Sequence, residues 1–428
     1  FIGTEEESAR HIRDFARGRK LSRNQGRMSR LYVMEALMSQ TGANADHRLR
    51  APSTNIAAAA AFIAGQLGIE VTGATGSLSG SEWLTACVAD LKMEAHRGKT
   101  LVVAGYRQPE AVHRLIHQIN DQLGNIGKTI EFRKLPVAPV DFQPLSELPS
   151  FLGAQGRIIN LGCNPFYDAP ADMDWAKELK GRTDFRLSEF TEDESYETEG
   201  IVVPRAHYLE SWGDARTSDG TVVPVQPLIA PLFDAMSELE VLTVFAHSDP
   251  TKRPTAHEVV RSTHKRAFKK DEQTDAKWDR AWLRYLHEGF QKGSALEPIK
   301  EPKVSSKPVR LSSGARIDAN SLEVIFTRDY SVDDGRFANN GWCQELPDPI
   351  TKITWDNVMS VSRKTAIDLN LKNGHEAELT LGGLKVTGPV WVQPGMADNT
   401  VALPLGYGRK GKLRIANFKY LGSKSDKL

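Results

Sequence analysis

The densest polar chemistry in the chain lies in "AHYLESWGDARTSDGT", where His207, Glu210, Asp214, Arg216 and Asp219 follow an apolar run. A histidine beside carboxylates can move protons, and a guanidinium can hold an anion. Two readings stand side by side. One is the rim of a pocket. The other is a polar network that holds an irregular loop, with Asp214 and Arg216 as salt-bridge partners. No Ser–His–Asp arrangement follows from the spacing. His113 and His117 sit at i,i+4, as zinc-binding pairs do, but Arg114, Leu115 and Ile116 leave no glutamate between them. "IEVTGATGSLSGSEW" joins a candidate strand to a glycine-rich loop and a helix from Glu82. Its glycine spacing matches neither the dinucleotide fingerprint nor a P-loop, so it reads as a surface loop. In "TGANADHR", Asn44, Asp46 and His47 read as capping and turn residues. Cys87, Cys163 and Cys343 are far apart, with no CxxC, so no local zinc or iron–sulfur site forms and they read as free thiols.

These residues need a scaffold. The chain has 428 residues, a net charge of +1 and 40% hydrophobic residues. That length implies several domains. The near-zero charge argues against nucleic acid as a partner and against broad capture by anionic membrane. No apolar run approaches the ~20 residues that cross a bilayer. The most apolar stretch, "NIAAAAAFIAGQLG", is short and closed by Gly68, a buried helix. The chain begins with Phe1, without a signal pattern, and its first residues read as the middle of a domain. The expectation is an interior piece of a longer gene product.

The organisation expected is α/β. Residues 1–98 read as the mainly helical part of an α/β domain, and 99–292 as a parallel-sheet domain. In "TLVVAGYRQPEAVHRLIHQINDQLGNIGKTIEFRKL", two candidate strands flank a helix with Val112, Leu115, Ile116, Ile119 and Leu123 on one face. That is a βαβ unit, hence a parallel sheet. "GRIINLGCNP", "TDFRLSEF" and "IVVP" read as further buried strands, "ADMDWAKELKG" as a helix closed by Gly181, and "DESYETEG" as a helical turn. Ligands of such sheets lie beyond the carboxyl ends of the strands, where Asn164, Asp168 and His207 fall. Residues 255–270 and 276–291 read as helices, the second with Trp278, Trp282, Tyr285 and Leu286 on a core-facing stripe. The basic "RSTHKRAFKK" reads as a solvated face. Residues 293–320, rich in Pro, Ser, Lys and Gly, read as a linker. Residues 321–428 read as a small β-barrel or sandwich.

Several strings together resemble one family. "RLYVMEALMSQTGANADHRL", "LGCNPFYDAPADMDW", "VVPRAHYLESWGDARTSDGTVVPVQPLIAPLFDA", "FANNGWCQELPDPITKITWDN" and "PLGYGR" look like the molybdopterin-oxidoreductase-like iron–sulfur subunit of alternative complex III. The resemblance implies parallel-sheet α/β domains followed by a small double-psi β-barrel. It also implies a scaffold, without molybdenum, in a complex that passes electrons from quinol to cytochrome c or a terminal oxidase. The partners implied are haem c subunits, a ferredoxin-like iron–sulfur domain and integral membrane quinol-oxidising subunits, on the periplasmic side of a bacterial inner membrane. Iron–sulfur clusters would sit in a Cys-rich part that these residues lack. An active molybdopterin-dependent oxidoreductase and a soluble binding module are the alternatives.

Within this resemblance no catalytic or metal-binding residue is expected in the chain. "LGCNPFYDAPADMDW" sets Phe166, Tyr167, Asp168, Asp172 and Asp174 where a phosphate would approach, and acids repel phosphate. Asn164, His207, Gly406, Gly408 and Arg409 are the candidates for a remnant cofactor groove. "NNGWCQELPDPITKITWDN", from Asn339 to Asn357, reads as a strap entering the barrel, pinned by burial of Trp342 and Trp355 and by Pro347 and Pro349.

Overall fold

Alanine has the highest helix propensity, and a helix apolar on all sides has to be buried. Both rules act on Ile56–Gln66, which is helical and buries Ala58 to Ala61, Ile63 and Ala64. Gly68 ends it with φ +78°. The amide of Gly68 donates to Gly65 O at 3.0 Å and that of Ile69 to Ala64 O at 2.9 Å, the paired closure that a left-handed glycine permits. The computed structural model describes residues 1–3, 5, 7–22, 26–73, 78, 80–134, 147–153, 156–170, 173, 175–178, 181–195, 200–267, 275–312, 314–315 and 317–417. They fall into two units. The first contains 1–132 and 299–408, the second 133–298 and 409–417. The boundaries therefore lie at 132/133, 298/299 and 408/409 rather than at 98, 292 and 320.

In the first unit the helix Glu110–Gln122 buries Val112, Leu115, Ile116 and Ile119, the stripe its periodicity predicts. These side chains join the alanine helix, Leu84 and Val88 in one core. Among the described residues the flanking βαβ strands do not form, and residues 101–105 have no strand partner. Val102 donates its amide to Asn120 Oδ1 at 3.0 Å, and Asn120 Nδ2 donates to Val102 O at 2.7 Å. A helix side chain thus satisfies backbone groups that a neighbouring strand would otherwise take. The parallel pair found in this unit's core joins Val71–Gly73 to Val309–Leu311. Val309 and Leu311 are buried in that core, so part of the expected linker is a core strand. A second parallel pair joins Tyr32–Glu35 to His47–Arg50.

The last part of this unit is a five-stranded mixed sheet. Its order is Glu323–Thr327, Thr400–Pro404, Met359–Val361, Leu384–Val392, Glu376–Leu381. Its core holds Met359, Val361, Val390, Val401 and Leu403. The order has two ends, so the described pairing is that of an open sheet. Glu323 ties it to the first part of the chain, accepting the amides of Ser53 at 2.7 Å and Thr54 at 2.9 Å.

The segment 339–357 is held differently from the expectation. Trp342 is 85% exposed. Asn340 accepts the Trp342 amide at 3.0 Å and starts a short helix, Gly341–Glu345, that leaves the indole in solvent. Trp355 is half-buried, and the anchors beside it are polar. Buried Gln344 donates to Ala338 O at 2.9 Å, its own carbonyl accepts the Trp355 amide at 3.0 Å, and Asp348 Oδ1 accepts the amides of Ile350 at 2.8 Å and Thr351 at 2.6 Å. Side chains that bond nearby backbone groups stabilise irregular chain without a large apolar anchor.

The second unit carries the expected parallel sheet. Ile158–Leu161, Thr183–Ser188 and Ile201–Pro204 pair in chain order, all parallel. An antiparallel pair, Gly213–Arg216 with Val222–Val225, follows where the sequence reads as irregular. Trp278, Trp282 and Tyr285 of the helix Asp275–Glu288 are buried with Val222 and Val260, as their stripe predicts.

Candidate functional site

The second unit places its chemistry beyond the carboxyl ends of the parallel strands, as such sheets do. After Ile158–Leu161 the chain turns at Gly162, φ +90°. Asn160 staples the turn, donating to Cys163 O at 2.9 Å and accepting the Cys163 amide at 3.1 Å. Asn164 then opens the short helix Pro165–Asp168, but its side chain does not cap it. It donates instead through Nδ2 to Glu194 Oε2 at 2.8 Å. Asn164 Oδ1 is buried and accepts no hydrogen bond among the described residues.

Glu194 sits in the loop after the next strand. Beneath it, Arg186 and Asp193 form a buried pair at 2.5 Å. Arg186 NH1 also donates to Ser195 Oγ at 2.5 Å, and Ser188 Oγ lies 2.9 Å from Asp193 Oδ2. This network fixes the loop. The segment 409–412 lies along it. Lys412 donates its amide to Glu192 O at 2.8 Å. A Cβ on Gly411 would come within 2.6 Å of Glu192 O, so the approach needs glycine.

Glu194 and Arg409 are the centre of the arrangement. Arg409 donates from Nε to Oε1 at 2.8 Å and from Nη2 to Oε2 at 2.9 Å, a bidentate pair. Oε1 also accepts the amide of Lys410 at 2.8 Å and that of Gly411 at 3.3 Å. The Tyr167 ring lies under the guanidinium, 4.4 Å from its carbon. The paired side chains are only 6% and 5% exposed. Burial alone would push the Glu194 carboxyl up, but the hydrogen bonds and charge of Arg409 reverse this and hold it at about 2.

Of the groove candidates, the structure brings Asn164 and Arg409 together. His207 is not with them. It is exposed, accepts the Leu209 amide at Nδ1 (3.3 Å), and gives its own amide to Glu210 at 2.9 Å. Gly406 and Gly408 belong to the other unit. Gly406, φ +102°, packs on the backbone of Asp333 and Gly335, which fixes a turn rather than a groove wall. Asp168 is exposed, and Asp172 and Asp174 lie outside the described residues. Glu194 was not legible as a site residue, because its main partner is 215 positions away.

The expected Asp214–Arg216 pair is also different. Both residues are exposed. Arg216 donates to Gly220 O at 3.0 Å, and Asp214 lies 3.3 Å from Nε2 of the buried His264. Two residues apart on one strand, the two side chains share a face, and each takes a partner outside the pair. His264 is held below its usual range by burial, with Asp214 opposing.

The first unit contains a cavity of about 330 Å³ at the end of Tyr32–Glu35, lined by Met38, Tyr106, Ile325, Asp329 and Asp348 among others. Burial pushes the Asp329 carboxyl up, against the amides of Val332 and Ser331 that it accepts. In the sequence, "DYSVDDGR" carries no spacing that sets Asp329 apart.

A pterin dinucleotide is a large anion. The donors that would meet its phosphates in the second unit are the Arg409 guanidinium, the Asn164 amide and the amides of Lys410 and Gly411, and all of them already bond Glu194. The residues at this place do not fit such a group. Cys87 is buried, and burial pushes its thiol up to about 11. Among the described residues, no group of three or more His, Cys, Asp or Glu is placed to hold a metal ion, and no helix is long and apolar enough to cross a membrane.

No family model and no curated protein matches the chain. The structure is similar to acetylene hydratase from Pelobacter acetylenicus, with a TM-score of 0.51 and 12% identity, over 94% of this chain and 69% of that one. At that identity the likeness is one of fold. The mixed α/β architecture with parallel sheets is consistent with a molybdopterin-oxidoreductase-like fold.

Proposed function

We propose that this chain is a scaffold region, without its own active site, in a quinol:electron-acceptor oxidoreductase of the alternative complex III kind. The observation that carries the reading is the Glu194–Arg409 pair. In a parallel sheet the ligand groove lies beyond the strand ends. Here the anion donors of that place are taken by a carboxylate of the chain itself. The fold likeness supports the superfamily, and the sequence strings supply the finer assignment.

In this role the chain holds neighbours rather than reacting. Leu228, Ile229, Leu232 and Phe233 lie 50–77% exposed in one irregular run. Apolar surface of this kind is what a subunit contact covers. The neighbours are haem c subunits, a ferredoxin-like iron–sulfur domain and membrane subunits that oxidise quinol, with attachment to the periplasmic face of the membrane through them. The last sheet of the first unit corresponds in this reading to the double-psi barrel.

A second reading is a binding module, favoured by the cavity beside Asp329. Purification of the protein from native membranes separates the two. The scaffold reading expects co-purifying haem c and iron–sulfur subunits, with neither molybdenum nor pterin in stoichiometric amount. A protein that elutes as a monomer, or one with stoichiometric molybdenum, overturns it.

A further inference from the structure

Five donor atoms from two segments converge on one carboxylate. Arg409 Nε and Nη2, the amides of Lys410 and Gly411, and Asn164 Nδ2 all donate to Glu194, at 2.8–3.3 Å. The consecutive amides of Lys410 and Gly411 meet the same oxygen, an arrangement that suits anions. The Tyr167 ring covers one face of the guanidinium and fixes its plane. Asn164 adds a separate sign. It turns its donor to the carboxylate and leaves Oδ1 buried and unpartnered among the described residues. An amide takes that orientation when what it faces is negative.

We propose that Asn164, Tyr167 and Arg409–Gly411 form a built carboxylate-binding site whose resident ligand is the Glu194 side chain. The site takes a small free carboxylate when that side chain is removed. Glu194 closes to outside anions a site that the surrounding residues would otherwise offer them.

The chemistry sets the probe. Glu194→Ala removes Cγ, Cδ and both carboxylate oxygens, and those are the non-hydrogen atoms of acetate. The Arg186–Asp193 network, not Glu194, folds the loop, the Lys412 amide on Glu192 O keeps 409–412 against it, and the Asn160–Cys163 turn holds Asn164. A ligand that binds only the folded chain raises its melting temperature in a saturable way.

The test is thermal unfolding of the full chain at neutral pH, in sodium acetate against sodium chloride at equal ionic strength. Glu194→Ala lowers Tm by roughly 10 °C, since it removes the carboxylate that pairs the buried Arg409 guanidinium. Acetate restores most of that loss, and saturates. The wild type shows no acetate-specific shift, because its site is filled. Adding Arg409→Met to Glu194→Ala abolishes the rescue. If Glu194→Ala does not fold unaided, the same comparison is read as refolding yield in acetate against chloride. An equal acetate effect in wild type and variant overturns the proposal. So does rescue that survives Arg409→Met, or the absence of any acetate-specific gain in Tm or yield.

Discussion

Asn120 on the helix Glu110–Gln122 exchanges two hydrogen bonds with the backbone of Val102, at 3.0 and 2.7 Å. Asn120 is fully buried, and Asn125 Nδ2 donates to its Oδ1 at 2.9 Å. One side chain therefore replaces a missing strand neighbour. Asn120→Ala leaves the amide and carbonyl of Val102 without that partner and is expected to cost about 2–3 kcal/mol. Urea unfolding measures it. A loss below about 0.5 kcal/mol, the level of an ordinary surface change, contradicts the assignment.

Arg186 carries the loop that presents Glu194. Its partner Asp193 is as enclosed as it is, with the two side chains 2% and 7% exposed. Arg186→Met leaves that carboxylate buried and uncompensated, at roughly 3–5 kcal/mol. Arg216→Ala, on an exposed strand face, is expected to change stability by less than about 0.5 kcal/mol. Chemical denaturation of the two variants side by side checks the contrast, and equal losses would refute it.

The strap makes a similar contrast. Trp342→Ala should leave unfolding nearly unchanged, because the ring is exposed. Gln344→Ala removes the bond to Ala338 O and should cost about 1–2 kcal/mol. A larger loss for Trp342→Ala than for Gln344→Ala would restore the aromatic anchor.

His264 gives the second unit a pH dependence. Burial depresses its basicity, with Asp214 opposing. The unfolded chain then binds the proton more readily than the folded one. Stability is full above the ordinary histidine value of about 6.5 and declines as pH falls through it. His264→Gln should flatten the change in unfolding midpoint between about pH 7 and pH 5.5. A profile as steep as that of the wild type counts against it.

Where the fold was legible in the sequence, the signal was local. The stripe Val112–Ile119 and the stripe Trp278–Tyr285 each repeat within one helix, and the paired strands in "TDFRLSEF" and "IVVP" are near neighbours in the chain. What was not legible depends on distant partners. Residues 101–105 have strand composition, but the groups that satisfy Val102 come from Asn120. Val309–Leu311 sits in linker-like sequence, and its partner is Val71–Gly73. The site divides in the same way. Asn164 and Arg409 stood out by their positions at a strand end and in a glycine-rich string. Glu194 lies in "DESYETEG", which reads as a helical turn, and only the fold brings it to Arg409.

The central claim is that Glu194 remains an ionised internal ligand of Arg409. Carbon-13 NMR of the full chain with labelled glutamate carboxyls, assigned by subtraction of the Glu194→Gln spectrum, reads this directly. A carboxyl held at about 2 in the fold, against 4.5 when free, contributes stability that is present above about 4.5 and is lost as pH falls toward 2. The account predicts that the Glu194 resonance stays at its carboxylate position down to about pH 3.5, while ordinary glutamates titrate near 4.3. A Glu194 resonance that titrates with the others contradicts it.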